Sequence, residues 1–91
     1  MTDEQPKTSL IEFPSDFPLK IMGVHAEEFA SEIVMIVQRH DDSFDVSTIE
    51  ARPSRNGNYL SLTCTIRAIS QEQLDALYRE LTGHPMVKVV L

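Results

Sequence analysis

The chain has few of the residues that small proteins use for covalent or metal-based stabilisation. Its 91 residues include one cysteine, Cys64, and no tryptophan. A lone cysteine cannot form an internal disulfide, and inside an alternating apolar run it behaves as a small buried hydrophobe. The composition, 42% hydrophobic and 24% charged, is that of a globular domain that folds without disulfide or metal. A reduced cysteine favours a cytoplasmic location.

Positive charge is also scarce. The chain has 14 acidic and 8 basic side chains, a formal net charge of -6 at pH 7. This excess disfavours attraction to nucleic-acid phosphates and to anionic lipid surfaces. No apolar stretch approaches the ~20 residues of a membrane span, and Met1 to Leu10 lacks the basic and apolar regions of a signal peptide. We therefore expect neither nucleic acid nor membrane as a partner.

The polar beginning of the chain contrasts with the rest. Residues 1–9 are predicted to form a disordered leader, and residues 10–91 a single domain with one core. Leu10 to Phe13, which Pro14 follows, suits an extended arm along the domain edge. Phe13 and Phe17 are expected to anchor this arm.

The first half of the domain is predicted to consist of a strand and a helix. Phe17 to Val24 alternates, with Leu19 and Ile21 on one face, and indicates a strand that ends at Gly23. Glu27 to His40 changes to helical spacing. The apolar stripe of this helix consists of Phe29, Ile33, Ile36, Val37 and His40.

Two strands joined by a hairpin are predicted next. Phe44 to Pro53 indicates a strand, with a slip in its alternation that predicts a bulge. Asn56-Gly57 is typical of a type I′ turn, in which both central residues need positive φ. Tyr59 to Ile69 is the clearest strand of the chain, and its predicted core face consists of Leu60, Leu62, Cys64, Ile66 and Ala68.

A second helix and a last strand complete the pattern. Ser70 followed by Gln73 is a capping-box pattern, and Gly83 suits the end of the helix. The predicted apolar stripe of the helix consists of Leu74, Leu77, Tyr78 and Leu81. Met86 to Leu91 indicates a strand, with Val87, Val89 and Leu91 on its core face.

The order β-α-β-β-α-β predicts an α+β, ferredoxin-like fold. In this fold a four-stranded antiparallel sheet carries two helices on one face. The alternation leaves a second, uncovered face that is neither strongly apolar nor strongly charged. Its predicted residues are Lys20, Met22, Ser61, Thr63, Thr65, Arg67 and Lys88.

Several local motifs resemble those of the bacterial YbeD family of small uncharacterised proteins. They are Phe13-Pro14, Lys20-Ile21-Met22-Gly23, Val37-Gln38-Arg39-His40, Pro53-Ser54 with Gly57-Asn58-Tyr59, and Val90-Leu91. The match runs from Phe13 to Leu91. The resemblance implies a ferredoxin-like fold similar to ACT regulatory domains, an uncharacterised function and a proposed link to lipoate metabolism.

The chemistries that this fold hosts elsewhere need residues that the chain lacks. Acylphosphatase-type catalysis needs an arginine after the first strand, where the chain has Gly23 to Ala26. Copper chaperones need two cysteines at Cys-x-x-Cys spacing. RNA-recognition modules need two or three aromatics on the open face, and Tyr59 is the single candidate. We therefore expect a protein that is not an enzyme and holds no cofactor.

The three histidines do not indicate a shared site. The sequence separates His25, His40 and His84 widely. No Asp or Glu accompanies them at a spacing typical of a metal site or an acid-base site. His40 is expected to pack or cap at the helix end, where a cation is favoured, and the other two to lie on the surface. No metal site is predicted.

Two regions are the predicted contact sites. Gly23, Val24 and His25 form the candidate ligand-binding region, because a glycine at a strand-to-helix junction admits close approach of a ligand. The alternative is that Gly23 only satisfies the backbone geometry of the junction. The candidate partner-contact region combines the end of the first helix with the hairpin. It consists of Arg39, His40, Ser54, Gly57, Asn58 and Tyr59.

The sequence thus predicts a non-catalytic regulatory or adaptor domain. Its partner is an unknown protein or small metabolite, or a second copy of the chain bound through a sheet edge or the open face. One alternative is a metabolite sensor that uses Gly23 to His25. Another is a weak hydrolase that uses His25 or His40.

Overall fold

Four strands and two helices follow one another in the predicted order. The computed structural model describes residues 12–91, so the expectations for the leader and for Leu10 lie outside the described residues. The strands form an antiparallel sheet in the order β2-β3-β1-β4, which confirms the ferredoxin-like fold. The elements are β1 (Ser15–Val24), α1 (Glu27–His40), β2 (Glu50–Pro53), β3 (Tyr59–Ala68), α2 (Gln71–Thr82) and β4 (Val87–Val90).

Strand β1 lies between β3 and β4 and begins two residues before the predicted start. Pro18 is tolerated in it because β4 is short. The N–H of Lys20 donates to the carbonyl of Leu91 over 3.1 Å, at the end of β4. The nitrogen of Pro18, two residues earlier, points to the same side beyond that end, so its missing N–H breaks no ladder bond.

The core lies between one face of the sheet and both helices. Helix α1 buries Phe29, Ile33, Ile36 and Val37, as predicted, and β3 turns its predicted apolar set inward. Helix α2 buries Leu74, Leu77 and Leu81, but the predicted core residue Tyr78 is half exposed at the margin of this stripe. Phe17 packs against the core, whereas Phe13, the other predicted anchor, is exposed.

The predicted strand from Phe44 to Pro53 is wrong over its first half. The Asp45 side chain accepts hydrogen bonds from the N–H and the hydroxyl of Ser47, at 3.0 and 2.7 Å. These bonds hold Val46–Thr48 in a single 3-10 turn. Strand β2 therefore has four residues, and no bulge is needed to explain the slip in alternation.

The hairpin between β2 and β3 is present, but its turn is not of type I′. The N–H of Gly57 donates to the carbonyl of Ser54 over 3.0 Å, so the central residues are Arg55 and Asn56. Among the described residues only Gly57 has positive φ, at 79°. The connection is thus a longer loop that uses glycine at a left-handed position after the turn.

A bulge in β4 reverses the predicted faces of the end of the last strand, whereas Val87 packs against the core as predicted. Val89 pairs with Met22 and Val90 with Ile21, whereas the next partner of β1, Gly23, pairs with Val87. Lys88 is therefore the extra residue. Val90 is 6% exposed and belongs to the core, and Val89 is 43% exposed on the other face.

Neither helix of the described chain is both long and apolar enough to cross a bilayer.

Candidate functional site

The junction between β1 and α1 is filled by the chain itself. A Cβ atom at Gly23 would lie 2.3 Å from the carbonyl oxygen of Met86 and 2.3 Å from the nearest ring carbon of Phe29. Glycine is required here for this close approach, and Phe29 takes the space that a ligand would need. The space next to Gly23 is therefore occupied by Phe29, and the structure gives no support for a ligand at that position.

His25 connects this junction to the hairpin. Its Nδ1–H donates to the carbonyl of Gly57 over 2.8 Å, and its backbone N–H donates to the carbonyl of Asn58 over 3.2 Å. The structure thus brings together His25 from the predicted ligand region and Gly57 and Asn58 from the predicted contact region. The ring bond fixes the tautomer and leaves Nε2 as an exposed nitrogen without a bond to another described residue.

The open face of the sheet carries a shallow depression of about 230 Å³ beside the hairpin. Two cationic side chains, Lys20 and Arg52, lie in it, and within residues 12–91 neither forms an ion pair. Glu50 lines the adjoining hollow with both of them. We call this depression the open-face patch; its lining is Lys20, Met22, Arg52, Pro53, Ser54, Tyr59 and Ser61.

Apolar side chains continue from the open-face patch to the edge of the sheet. Val89 lies opposite Met22, and antiparallel partners point to the same face. Leu91 exchanges two backbone hydrogen bonds with Lys20, at 2.8 and 3.1 Å, and is 72% exposed. The open face is therefore more apolar than the sequence predicts, because the bulge at Lys88 turns Val89 and Leu91 outward.

The predicted contact residues at the end of α1 bind within the protein. Arg39 forms an ion pair with Glu80 of α2, and Nε2 of His40 lies 2.7 Å from Oε1 of the same carboxylate, within hydrogen-bond distance. The bond from His40, and next that from Arg39, holds the pKa of the Glu80 carboxyl below its ordinary value. These contacts join the two helices, which is a sufficient structural role for both residues.

A polar cleft of about 340 Å³ lies beside this ion pair. Asp41 is buried and accepts from the hydroxyl of Ser43 at 2.6 Å and from the N–H of Arg67 at 2.8 Å. Burial acts to raise the pKa of Asp41, but these hydrogen bonds outweigh it and lower the pKa. Because the carboxylate is bonded on both oxygens, Asp41 itself has little hydrogen-bonding capacity left for a ligand.

Gln73 completes this network. Its side-chain N–H donates to the carbonyls of His40 and Arg67, at 2.7 and 3.1 Å, and its oxygen accepts from Ile69 at 2.7 Å. Its backbone N–H bonds the hydroxyl of Ser70 at 3.0 Å, as the predicted helix cap requires. One side chain therefore connects the end of α1, the end of β3 and the start of α2.

The two halves of the predicted partner-contact region lie at opposite ends of the sheet. The hairpin adjoins Tyr59 at the start of β3, whereas the cluster of Arg39 and His40 adjoins Arg67 near its end. Eight residues of extended chain separate the two positions, roughly 26 Å. Ser54 and Tyr59 line the open-face patch, so only the hairpin half belongs to it.

The remaining nucleophilic and titratable groups have structural environments. Cys64 is fully buried, and burial raises the pKa of its thiol to about 11. His84, predicted on the surface, is half buried: its Nδ1 accepts from Met86 and its Nε2 faces Glu32 at 3.3 Å. Residues 12–91 contain no cluster of three histidine, cysteine or acidic side chains suited to a metal ion.

Three important residues of the open-face patch and of the cluster at the end of α1 were not predicted as site residues from the sequence. Arg52 was missed because the second strand was predicted too long, which left its face undefined. Glu80 and Gln73 contact the end of α1 only through the tertiary fold. The capping-box pattern with Ser70 did single out Gln73 as the third residue after the cap. Nothing in the sequence predicted the hydrogen bonds from Gln73 to His40 and Arg67.

The fold and its surfaces define a small ferredoxin-like domain whose sheet is covered by helices on one face and open on the other. The chain belongs to the DUF493 family of proteins of unknown function, whose model matches residues 8–91. The match confirms the resemblance to the YbeD family.

Curated relatives cover nearly the full chain. A UPF0250 protein of Ralstonia nicotianae is 60% identical over 94% of this chain and 89% of its own length. One from Bordetella pertussis is 57% identical over 94% of each chain. Another, from Leptothrix cholodnii, is 56% identical over the whole of both chains. The similarity identifies the family and gives no specific function.

Proposed function

We propose that this protein is a non-catalytic regulatory or adaptor domain that binds its partner on the open face of the sheet, beside the hairpin. The observation that carries the proposal is the open-face patch. It combines a shallow depression, two cations without a described ion-pair partner and a continuous apolar border. Core-forming contacts occupy the other face of the sheet, so the side chains of the open face are free to contact a partner.

The environments of the reactive side chains favour binding over catalysis. A thiol with a pKa of about 11 inside the core is a poor nucleophile. His40 is bonded to Glu80 and His84 to Met86, which gives both rings structural roles. His25 has one exposed ring nitrogen, but within residues 12–91 no acidic or basic side chain forms a hydrogen bond with that ring, as a second catalytic group would.

Two finer statements also belong to this proposal. The buried, reduced Cys64 fits a cytoplasmic location. The link to lipoate metabolism comes from the family resemblance and stays a prediction. A metabolite sensor at Gly23 is less favoured, because the ring of Phe29 occupies the position next to that glycine.

Two exposed tyrosines allow a matched test of the binding face. Tyr59 is 41% exposed in the open-face patch, and Tyr78 is 49% exposed on α2. Partners are captured from a bacterial lysate with the wild type, Tyr59→Ala and Tyr78→Ala, each checked for folding by circular dichroism. We expect a protein that the wild type and Tyr78→Ala retain and Tyr59→Ala loses. Equal retention by both variants would refute the placement of the contact.

The non-catalytic part of the proposal is tested separately. The wild type is incubated with chromogenic carboxylic and phosphate esters, in parallel with His25→Ala and His40→Ala. We expect no turnover above that of buffer. Turnover that disappears in one histidine variant and persists in the other would establish the hydrolase alternative instead.

A further inference from the structure

Charge is divided between the two layers of this acidic protein. The two helices carry six acidic and two basic side chains, a net charge of -4. The four strands carry two acidic and four basic side chains, a net charge of +2. The excess of negative charge in the chain therefore does not extend to the sheet, and a partner that meets the open face encounters a locally positive surface.

The positive charges of the sheet are not equivalent. Arg67 pairs with Asp16 over 3.4 Å, at the end of the sheet far from the hairpin. Lys20 and Arg52 have no such partner among residues 12–91, and both line the open-face patch. Arg52 lies opposite Ser61, whose other neighbour is Met22, so the guanidinium and the apolar surface belong to one cross-strand row.

We propose that the occupant of the open-face patch is an acidic segment of a partner protein. Carboxylates of that segment bind Lys20 and Arg52, and apolar side chains beside them pack on Met22, Tyr59 and Val89. Arginine and carboxylate make two parallel hydrogen bonds, and the apolar border limits access of water to them. This inference rests on the proposed function, because it identifies the partner chemistry of the same face.

Charge complementarity argues for this occupant over a second copy of the chain. The helical layer of another copy is acidic, but its six carboxylates lie on two helices, and Glu80 is already paired with Arg39 and His40. A contact of one copy's helices with another copy's open face joins different surfaces. Such a contact does not close on itself and leads to chains of molecules rather than to a defined complex.

The test selects peptides without assuming their sequence. A displayed library of random dodecapeptides is selected on the full-length wild-type protein. Enriched sequences are then synthesised both as they are and with every Glu and Asp replaced by Gln and Asn. We expect enriched peptides to be acidic with apolar neighbours, and their amide forms to bind about tenfold more weakly or worse.

Two arginines provide the matched variants. Arg52→Glu reverses a charge in the open-face patch, and Arg79→Glu makes the same change on α2, where Arg79 forms no described ion pair. We expect Arg52→Glu to weaken peptide binding by about tenfold or more. Arg79→Glu should change it by less than about twofold. Amide chemical shifts on binding should move at Lys20, Met22, Tyr59 and Ser61.

Several results would overturn the proposal. They are an empty selection, enriched peptides without acidic excess, equal effects of the two arginine variants, or shifts confined to the helices. Oligothymidine that binds as tightly as the peptides would assign the face to nucleic acid instead. Sedimentation that shows assembly through the open face would assign it to a second copy.

The variants also separate this proposal from the function beneath it. If Tyr59→Ala loses a captured protein but Arg52→Glu retains it fully, the binding face stands and its acidic occupant is refuted. If neither variant loses a protein that the wild type captures, the binding face itself is refuted.

Discussion

Glycine is the single residue type that fits at position 23, and the reason is crowding rather than backbone angle. The atoms that a Cβ would meet are a backbone carbonyl and the ring of Phe29, and neither can move without disturbing the core. Gly57 differs, because its φ is 79° but no atom lies near its missing Cβ. Gly83 has an ordinary helical backbone and a contact of 3.3 Å to the carbonyl of Arg79.

Alanine substitutions at the three glycines should therefore differ in cost. Gly23→Ala should lower the free energy of unfolding by about 3 kcal/mol, because overpacking displaces Phe29. Gly57→Ala should cost about 1 kcal/mol for the left-handed backbone, and Gly83→Ala less than about 1 kcal/mol. Urea unfolding measures all three. A Gly23→Ala variant as stable as Gly83→Ala would contradict the packing role of Gly23.

Asp41 gives the protein a pH-dependent contribution to stability. Its pKa is lowered in the folded state, so the folded protein binds fewer protons than the unfolded chain. The stabilising contribution is therefore complete at a pH above the ordinary pKa of an aspartate. It is lost as the pH falls from about 5 through the pKa that Asp41 has in the folded protein. Asp41→Asn should destabilise the protein by about 2 kcal/mol near neutral pH, because an amide cannot accept all of its hydrogen bonds.

The neighbouring residue is the control for Asp41. Asp42 is exposed and makes no side-chain hydrogen bond with another described residue, so Asp42→Asn should leave the unfolding free energy nearly unchanged. Thermal unfolding from neutral pH to about pH 3 should show the gap between wild type and Asp41→Asn closing with acid. A gap that stays constant would mean that the lost stability does not come from the ionised carboxylate.

Among the elements, β4 is the one in which a single residue changes the faces of the strand. The bulge at Lys88 exchanges the faces that alternation predicts for two successive valines. Val89 lies on the open face and Val90 in the core. Val90→Ala should therefore lower the unfolding free energy by about 2 kcal/mol through a core cavity. Val89→Ala should change it by less than about 0.5 kcal/mol. Equal effects of the two substitutions in urea unfolding would contradict this register.

The elements also show how far the sequence determined the fold. Strand β3 and helix α1 were predicted closely, because long alternating or helical patterns depend on many side chains at once. Strand β2 and the face of β4 were not, because one cap at Asp45 and one bulge at Lys88 decided them. Of the four predicted hairpin residues, Ser54 and Tyr59 line the open-face patch, whereas Arg52 and the role of Glu80 required the pairing of distant segments.

For the whole molecule, Cys64 reports on cooperative unfolding. It is fully buried in the core, and its pKa of about 11 leaves little thiolate near neutral pH. Alkylation by iodoacetamide should therefore be slow in the folded protein and rapid in concentrated urea, with a native-state rate that Gly23→Ala increases. Rapid alkylation of a wild-type protein that remains folded would show local opening of the core.

The sheet ends on both sides in strands that are poor templates for further pairing. Strand β2 has four residues and finishes at Pro53, which lacks an N–H, and β4 is interrupted at Lys88. Short strands, prolines, bulges and edge lysines are the devices by which natural sheets avoid adding strands from other molecules. Such devices act against fibril growth, so Val89 and Leu91 can stay exposed beside these strands without offering a long edge for pairing.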